Sequence, residues 1–352
     1  MSKDNNAPLS QKKQWLFIVL FIVIAATSIW AVMAQSKEFS LTDFTSYVKG
    51  SSPVWIVVSF LCMLGFILFE GLAILALCRA FGYKQNLWRG YIYSASDIYF
   101  SAITPSATGG QPASAYFMMK DGMGGTMVTA ILMANLCMYT LSIIIISTVC
   151  FIFRFDIFLQ HSLPSKILII AGFIIQLGLL LFFYMLLKRY QLLQSICNWV
   201  LKLLCKLHIL RKYERKKKKL DAYMEHYRQH TALLTGHTKA MLVCFIFNFL
   251  QRASQIAVTM FVYMATTGQS ILNSVELWFR QALVVTGSNS IPVPGAMGVS
   301  DYLMLDSFGN MMNSADAVNL ELLSRSFSFY SCVIICGIST LVQYLIIKKR
   351  GK

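Results

Sequence analysis

Ser101-Ala-Ile-Thr-Pro-Ser-Ala-Thr-Gly-Gly-Gln-Pro112 and Gly287-Ser-Asn-Ser-Ile-Pro-Val-Pro-Gly-Ala-Met-Gly298 decide how the rest of this chain is read. Both are clusters of proline, glycine and small polar residues set inside long apolar sequence, and both interrupt a helix. A helix in a bilayer satisfies its own backbone, whereas broken backbone leaves N–H and C=O groups unpaired. It survives there only where protein buries it or a water-filled cavity runs past it. The two breaks therefore predict a cavity at membrane depth.

The sequence around them is that of a polytopic membrane protein. Of 352 residues 57% are hydrophobic and 13% charged, and the mean hydropathy is +0.60, values outside the soluble globular range. Six runs are long enough to cross a hydrocarbon core of about 30 Å: residues 15–34, 54–80, 126–153, 167–187, 240–266 and about 323–347. Lys12, Lys13 and the small-residue pattern Val32-Met33-Ala34 give the first run the look of a secretory signal. Its length exceeds the usual signal core of about 7–15 residues, so it is read as a retained anchor. The nine cysteines form no C-x-x-C pair and read as small core residues. His226 and His230 stand four apart without a third ligand, so no metal site is expected. No cofactor is expected either, and no P-loop motif for nucleotide occurs.

Charge fixes a topology. With the N-terminus inside, twenty-four of the 31 Lys and Arg residues fall on the cytoplasmic side and four outside; Arg252, Arg280 and Arg325 fall at membrane depth. This bias is the positive-inside rule, and it accounts for the net charge of +16 without a nucleic-acid partner. The run Arg211-Lys-Tyr-Glu-Arg-Lys-Lys-Lys-Lys219, beside an amphipathic stretch at about 190–210, is a topology determinant that also suits anionic inner-leaflet lipids. The chain is thus expected to be one multi-pass domain of a cytoplasmic membrane, residues 1–352. A cytoplasmic N-terminus (1–14) leads into a first half (15–187) with a re-entrant hairpin at 91–121. A basic cytoplasmic loop (188–239), a second half (240–347) with a hairpin at 272–310, and a tail (348–352) follow.

In this topology the first hairpin enters from the cytoplasmic side and the second from outside. Span, hairpin, span then occurs twice in opposite orientation: an all-α inverted-topology repeat, N-in and C-in, whose substrate site lies near the midplane where the broken helices meet. The breaks supply Thr104, Pro105, Gly109, Gly110, Pro292, Pro294, Gly295 and Gly298. The glycines let backbone approach closely and the prolines shape the break. Ionisable residues in apolar surroundings are costly and mark pathways or pairs. They are Glu70, Asp97, Arg252, Glu276, Arg280, Asp301 and Arg325. Glu276 and Arg280 stand one turn apart and can satisfy each other. Arg252 and Arg325 are expected to stand in their spans without an acidic residue one turn away. The arginines suit a phosphate, and Glu70, Asp97 and Asp301 suit an ammonium.

Thr104-Pro-Ser-Ala-Thr-Gly-Gly110, the short helix ending Lys120-Asp-Gly122, and Ile291-Pro-Val-Pro-Gly-Ala-Met-Gly-Val-Ser-Asp301 resemble the paired motifs of the lysylphosphatidylglycerol synthase transmembrane, or flippase-like, family. That family includes the N-terminal membrane half of the bacterial multiple peptide resistance factor. The resemblance spans roughly 15–345. Asp301 holds a place where relatives often carry Glu, which shortens the carboxylate's reach. The resemblance implies a lipid flippase of a bacterial cell membrane, moving lysyl-phosphatidylglycerol or another anionic or aminoacylated lipid and linked to antibiotic resistance. A membrane transferase of the phosphatidylglycerol lysyltransferase type and a non-transporting partner of a separate synthase are the alternatives. Because the last span ends close to Lys352, no soluble synthase domain is expected. A homo-oligomer or a separate lipid synthase are the candidate protein partners.

Overall fold

A computed structural model describes residues 41–104, 107–206 and 213–350. The first expected span, 15–34, lies outside the described residues, as do Pro105 and the start of the basic run at Arg211. Helices α1 (Leu41–Lys49), α2 (Pro53–Ala80), α3 (Leu87–Ile103), α4 (Gly110–Lys120), α5 (Gly125–Phe153), α6 (Phe155–Gln160) and α7 (Leu163–Lys188) form the first part. Next come α8 (Tyr190–Lys206), α9 (Tyr213–Gly236), α10 (Thr238–Thr267), α11 (Ile271–Ser288), a 3-10 turn (Pro294–Ala296), α12 (Val299–Phe308) and α13 (Ser314–Arg325). A π-helical turn (Ser326–Ser331) joins α13 to α14 (Cys332–Arg350). Among the described residues no strand occurs, and five helices are long and apolar enough to cross a membrane: α2, α5, α7, α10 and the continuous stretch Ser314–Lys349. The protein is an all-α polytopic membrane protein.

The elements end where local chemistry ends them. Pro53 opens α2, where a missing N–H costs nothing. Asn86 caps α3 by accepting from the Arg89 N–H at 2.9 Å. Pro105 forces its predecessor out of helical geometry, and Thr104 is extended at φ −117°, ψ 144°. Its hydroxyl then donates to the Phe100 carbonyl at 2.6 Å and accepts from the Gly109 N–H at 2.9 Å, satisfying the broken end.

Each broken segment folds back on itself. Asp121, just after α4, pairs with Arg89 near the start of α3 (2.8 Å) and accepts from Tyr93 Oη (2.5 Å), so the hairpin returns to the end it left. In the second hairpin Arg280 of α11 donates to the Ser307 carbonyl of α12 at 2.9 Å. The two residues with positive φ other than glycine, among those described, are Ala107 (52°) and Ala296 (51°), one at each tip.

The core is a cross-packing of the two halves. Helices α2 and α10 run antiparallel, with Ser52 bonded to Ala265 at one end and Glu70 to Gln251 at the other. The first hairpin packs on α14 through Tyr91–Ser339 (2.7 Å). The second packs on α5 through Ser147–Thr286 (2.6 Å) and on α7, where a methyl on Gly172 would lie 2.2 Å from the Thr286 carbonyl. Glycine contacts of this kind let helix backbones touch in lipid.

One expectation about element bounds changes. The last span begins at Ser314, not near 323, because the polar residues Asp316 and Glu321 in α13 hide its start from a hydropathy reading. In the basic segment 188–239 the described stretches Tyr190–Lys206 and Tyr213–Gly236 are helical. Its two helices α8 and α9 pack on each other, and α9 reaches α5 through Tyr223, which donates to the Gly125 carbonyl at 3.0 Å.

Candidate functional site

A cavity of about 630 Å³ opens between the two hairpins. Both tips line it, the first with Ala107 and Thr108, the second with Ser290 to Val293, Gly295 and Ala296. The helices α2, α3, α5, α7, α10, α11 and α13 and the π-helical turn add Glu70, Asp97, Asn135, Tyr139, Gln176, Gln251, Arg252, Gln255, Gln281, Arg325 and Phe329 to the wall, and α4, α12 and α14 add Gln111, Ser300 and Cys332. The 3-10 turn of the second tip touches α3 of the first hairpin directly. A volume of this size suits a small molecule or a lipid headgroup.

Two carboxyl groups sit on one side. Glycine at position 71 lets α2 meet α3 closely, since a methyl there would lie 2.7 Å from the Gly90 backbone. That crossing brings Glu70 against Ser94, which donates to its Oε2 at 3.1 Å; Gln251 donates to the same oxygen at 3.0 Å. Asp97 accepts from Ser101 (3.0 Å) and Gln111 (2.7 Å) and lies beside Glu70. A methyl on Gly110 would lie 2.0 Å from Asp97 Oδ1 and 2.1 Å from Ser101 Oγ, so only glycine admits the carboxylate here.

Arg252 of α10 faces the same space. It is 6% exposed, its guanidinium lies 4.1 Å from the centroid of the Tyr139 ring, and it donates to Gln255 Oε1. Its Nε has no hydrogen-bond partner, and no ion pair holds it among the described residues. An arginine stacked on an aromatic ring with a spare N–H is a ready anion ligand.

Arg325 reaches the cavity from the end of α13 but is held from behind. Its Nε lies 2.8 Å from Asp301 Oδ1 and 3.9 Å from Glu321 Oε1, and its guanidinium stacks 4.9 Å from the Phe329 centroid. Nη2 keeps no hydrogen-bond partner. Glu321 is the acidic residue one turn away that the expected span start had placed outside the helix. Asp301 also accepts from the Gly298 N–H at 2.8 Å, tying the second break to Arg325. Gly298 (φ +79°) and Gly295 (φ +61°) have backbone that disfavours other residues, and a side chain on Gly295 would meet the Phe329 ring at 2.4 Å.

Arg280 is elsewhere. It is 1% exposed and donates to Glu276 Oε1 (2.6 Å), Gln160 Oε1 (2.5 Å) and the Ser307 carbonyl (2.9 Å). Glu276 also meets Arg154 at 3.5 Å, and Arg154 pairs with Asp156 at 2.9 Å, whose carboxyl that guanidinium holds below its ordinary range. This network binds α6, α11 and α12 together, away from the cavity lining. Gln281, one residue on and about 100° around the helix, lines the cavity instead.

The structure thus gathers Glu70, Asp97, Arg252 and Arg325 around one space with Pro292 and Gly295, leaves Asp301 behind Arg325, and sets Glu276 and Arg280 apart. Thr104, Gly109 and Gly110 shape the first tip, and the side chain of Pro294 is not among those described. Sequence reading missed the neutral polar residues Gln111, Gln251, Gln255 and Gln281. A signal was present on α10, where Gln251, Arg252 and Gln255 form a polar stripe at helical spacing in an apolar run. Among the described residues no cluster of three or more His, Cys, Asp or Glu is placed to hold a metal ion.

Comparison with known proteins adds the lineage. Over 335 residues the chain is 22% identical to a UPF0104 membrane protein of Archaeoglobus fulgidus, covering 93% of this chain and 97% of that protein. The sequence profile described as "Lysylphosphatidylglycerol synthase TM region" matches residues 16–336, nearly the whole chain. The protein belongs to the lysylphosphatidylglycerol synthase transmembrane-region family.

Proposed function

We propose that the protein is a lipid translocase of a cytoplasmic membrane, carrying a phospholipid headgroup through the cavity while the acyl chains stay in lipid. The single observation that carries this reading is Arg252: a buried guanidinium, stacked on Tyr139 with an unused N–H, at the wall of a cavity bounded by both hairpin tips. An unpaired cation at membrane depth is too costly to be packing alone and suits a phosphate that arrives with the substrate. Arg325 offers a second, weaker hold. Glu70 and Asp97 face the same space and suit the ammonium of an aminoacylated headgroup such as lysyl-phosphatidylglycerol.

The two hairpins form an inverted repeat, re-entrant from opposite faces, with the basic end (Arg79, Arg89, Lys120 and the helices 190–236) cytoplasmic. The pairing of Arg89 with Asp121, and the exchange of partners between halves, support this arrangement. Transport proceeds as the tips move against α2 and α10. The cationic helices α8 and α9 lie against anionic lipid of the inner leaflet.

The test is dithionite quenching of fluorescent phosphatidylglycerol and its lysyl derivative in liposomes that hold the purified protein. Movement by wild type, lost in Arg252→Ala and kept in Arg280→Lys, supports the reading. Equal movement by wild type and Arg252→Ala rejects it.

A further inference from the structure

Among the described residues every hydrogen bond that reaches the carboxyl pair from outside comes from a donor: Ser94 and Gln251 to Glu70, Ser101 and Gln111 to Asp97. The remaining contact joins the two carboxyl groups to each other. Two like charges side by side in a buried site repel, which favours one proton between them. Charge balance gives the same count by a separate route. Both acids and Arg252 are at least nine-tenths buried, and Arg325 is already paired with Asp301. One shared proton leaves the carboxyl pair at minus one, against plus one on Arg252. The other titratable groups facing Glu70 are the thiols of Cys332 and Cys336 from α14, with the Tyr139 phenol across the cavity.

We propose that Glu70 and Asp97 form a proton-binding site that shares one proton when the cavity is empty and takes up a second when an anionic phosphate docks on Arg252. The coupling is electrostatic. A phosphate cancels the positive field of Arg252 that favours the carboxylate, and the unpaired Nε of Arg252 marks where it docks. Linkage then requires that proton and phosphate strengthen each other's binding. A headgroup phosphate bearing one negative charge would cross with one proton, which removes the net charge that a bilayer midplane resists. The second half of the proposal rests on the headgroup reading above; the shared proton does not.

The experiment is infrared spectroscopy of the full chain in phosphatidylcholine nanodiscs near neutral pH, following the C=O stretch of protonated carboxyl groups. Difference spectra of wild type against Glu70→Gln and against Asp97→Asn should each show loss of the same protonated-carboxyl band. Glu321→Gln serves as control, because Glu321 is also buried and stands outside the Glu70–Asp97 pair. Adding phosphatidylglycerol should raise the Glu70–Asp97 band by up to roughly twofold, one proton becoming two, and the rise should vanish in Arg252→Ala. Absence of the band from both difference spectra overturns the shared proton. A band that is present but unmoved by phosphatidylglycerol overturns the coupling. Neither readout needs transport, so lipid movement can fail in liposomes while the proton site stands, and the reverse also holds.

Discussion

At the scale of single residues, what separates the arginines is what stands within hydrogen-bond reach. Arg280 has three partners and no solvent. Arg280→Ala should therefore cost stability, about 2–3 kcal/mol after discounting for the partial exposure of Glu276, read as a lower unfolding temperature in detergent. Arg252→Ala should lower that temperature less while headgroup binding is lost, because it breaks no ion pair among the described residues and the Glu70–Asp97 pair can take up a proton in its place. His161, between α6 and α7, bonds the Ile157 carbonyl through Nδ1 at 2.9 Å, and burial pushes its imidazole below the ordinary range. Its neutral form is the one that fits. The stability it supports is therefore complete above the ordinary imidazole range and is lost as pH falls through that range and below. His161→Gln should flatten the acid limb of a thermal-stability profile. The ionisable residues were legible in the sequence because charge in apolar sequence is conspicuous. Which of them share a space was not legible, since one residue, about 100° of helix, separates the packed Arg280 from the cavity-facing Gln281.

At the scale of elements, proline and glycine announced both breaks, and the structure puts the helix ends at Ile103, Gly110, Ser288 and Val299. Gly110→Ala would drive a methyl into Asp97 and should displace the first tip, destabilising the protein by about 1–3 kcal/mol. Gly236→Ala, in open space, is the matched neutral control. The π-helical turn was not legible, because Ser326-Phe-Ser-Phe-Tyr-Ser331 carries no helix breaker. It holds Phe329 between Arg325 and the Gly295 tip. Removing one residue from this turn should restore regular α-helix, keep α13 and α14 on their present faces and move Phe329 from between Arg325 and the Gly295 tip. Circular dichroism should show unchanged helix content, and the liposome assay should show loss of lipid movement.

At the scale of the whole molecule, the two halves complete each other: each hairpin packs on a long helix of the other half, and the cavity exists only where the two tips meet. Apolar run lengths made the five spans among the described residues legible. The partner exchange was not, because it depends on glycine contacts such as Gly71–Gly90 and Gly172–Thr286 that join residues distant in sequence. The proposed orientation predicts that single cysteines replacing Lys49 and Lys216, in a background without the native cysteines, react with an impermeant maleimide from opposite sides of the membrane. Labelling of both from one side would refute the topology. The claim that the headgroup passes between the tips is met most directly by a phosphatidylglycerol with a photoreactive group on its head, cross-linked in liposomes and mapped by mass spectrometry. The account predicts adducts on the peptides that carry Tyr139, Arg252 and Ile291, reduced in Arg252→Ala. Adducts confined to lipid-facing residues such as Ile174 and Leu181 of α7, with the cavity peptides unmodified, would contradict it.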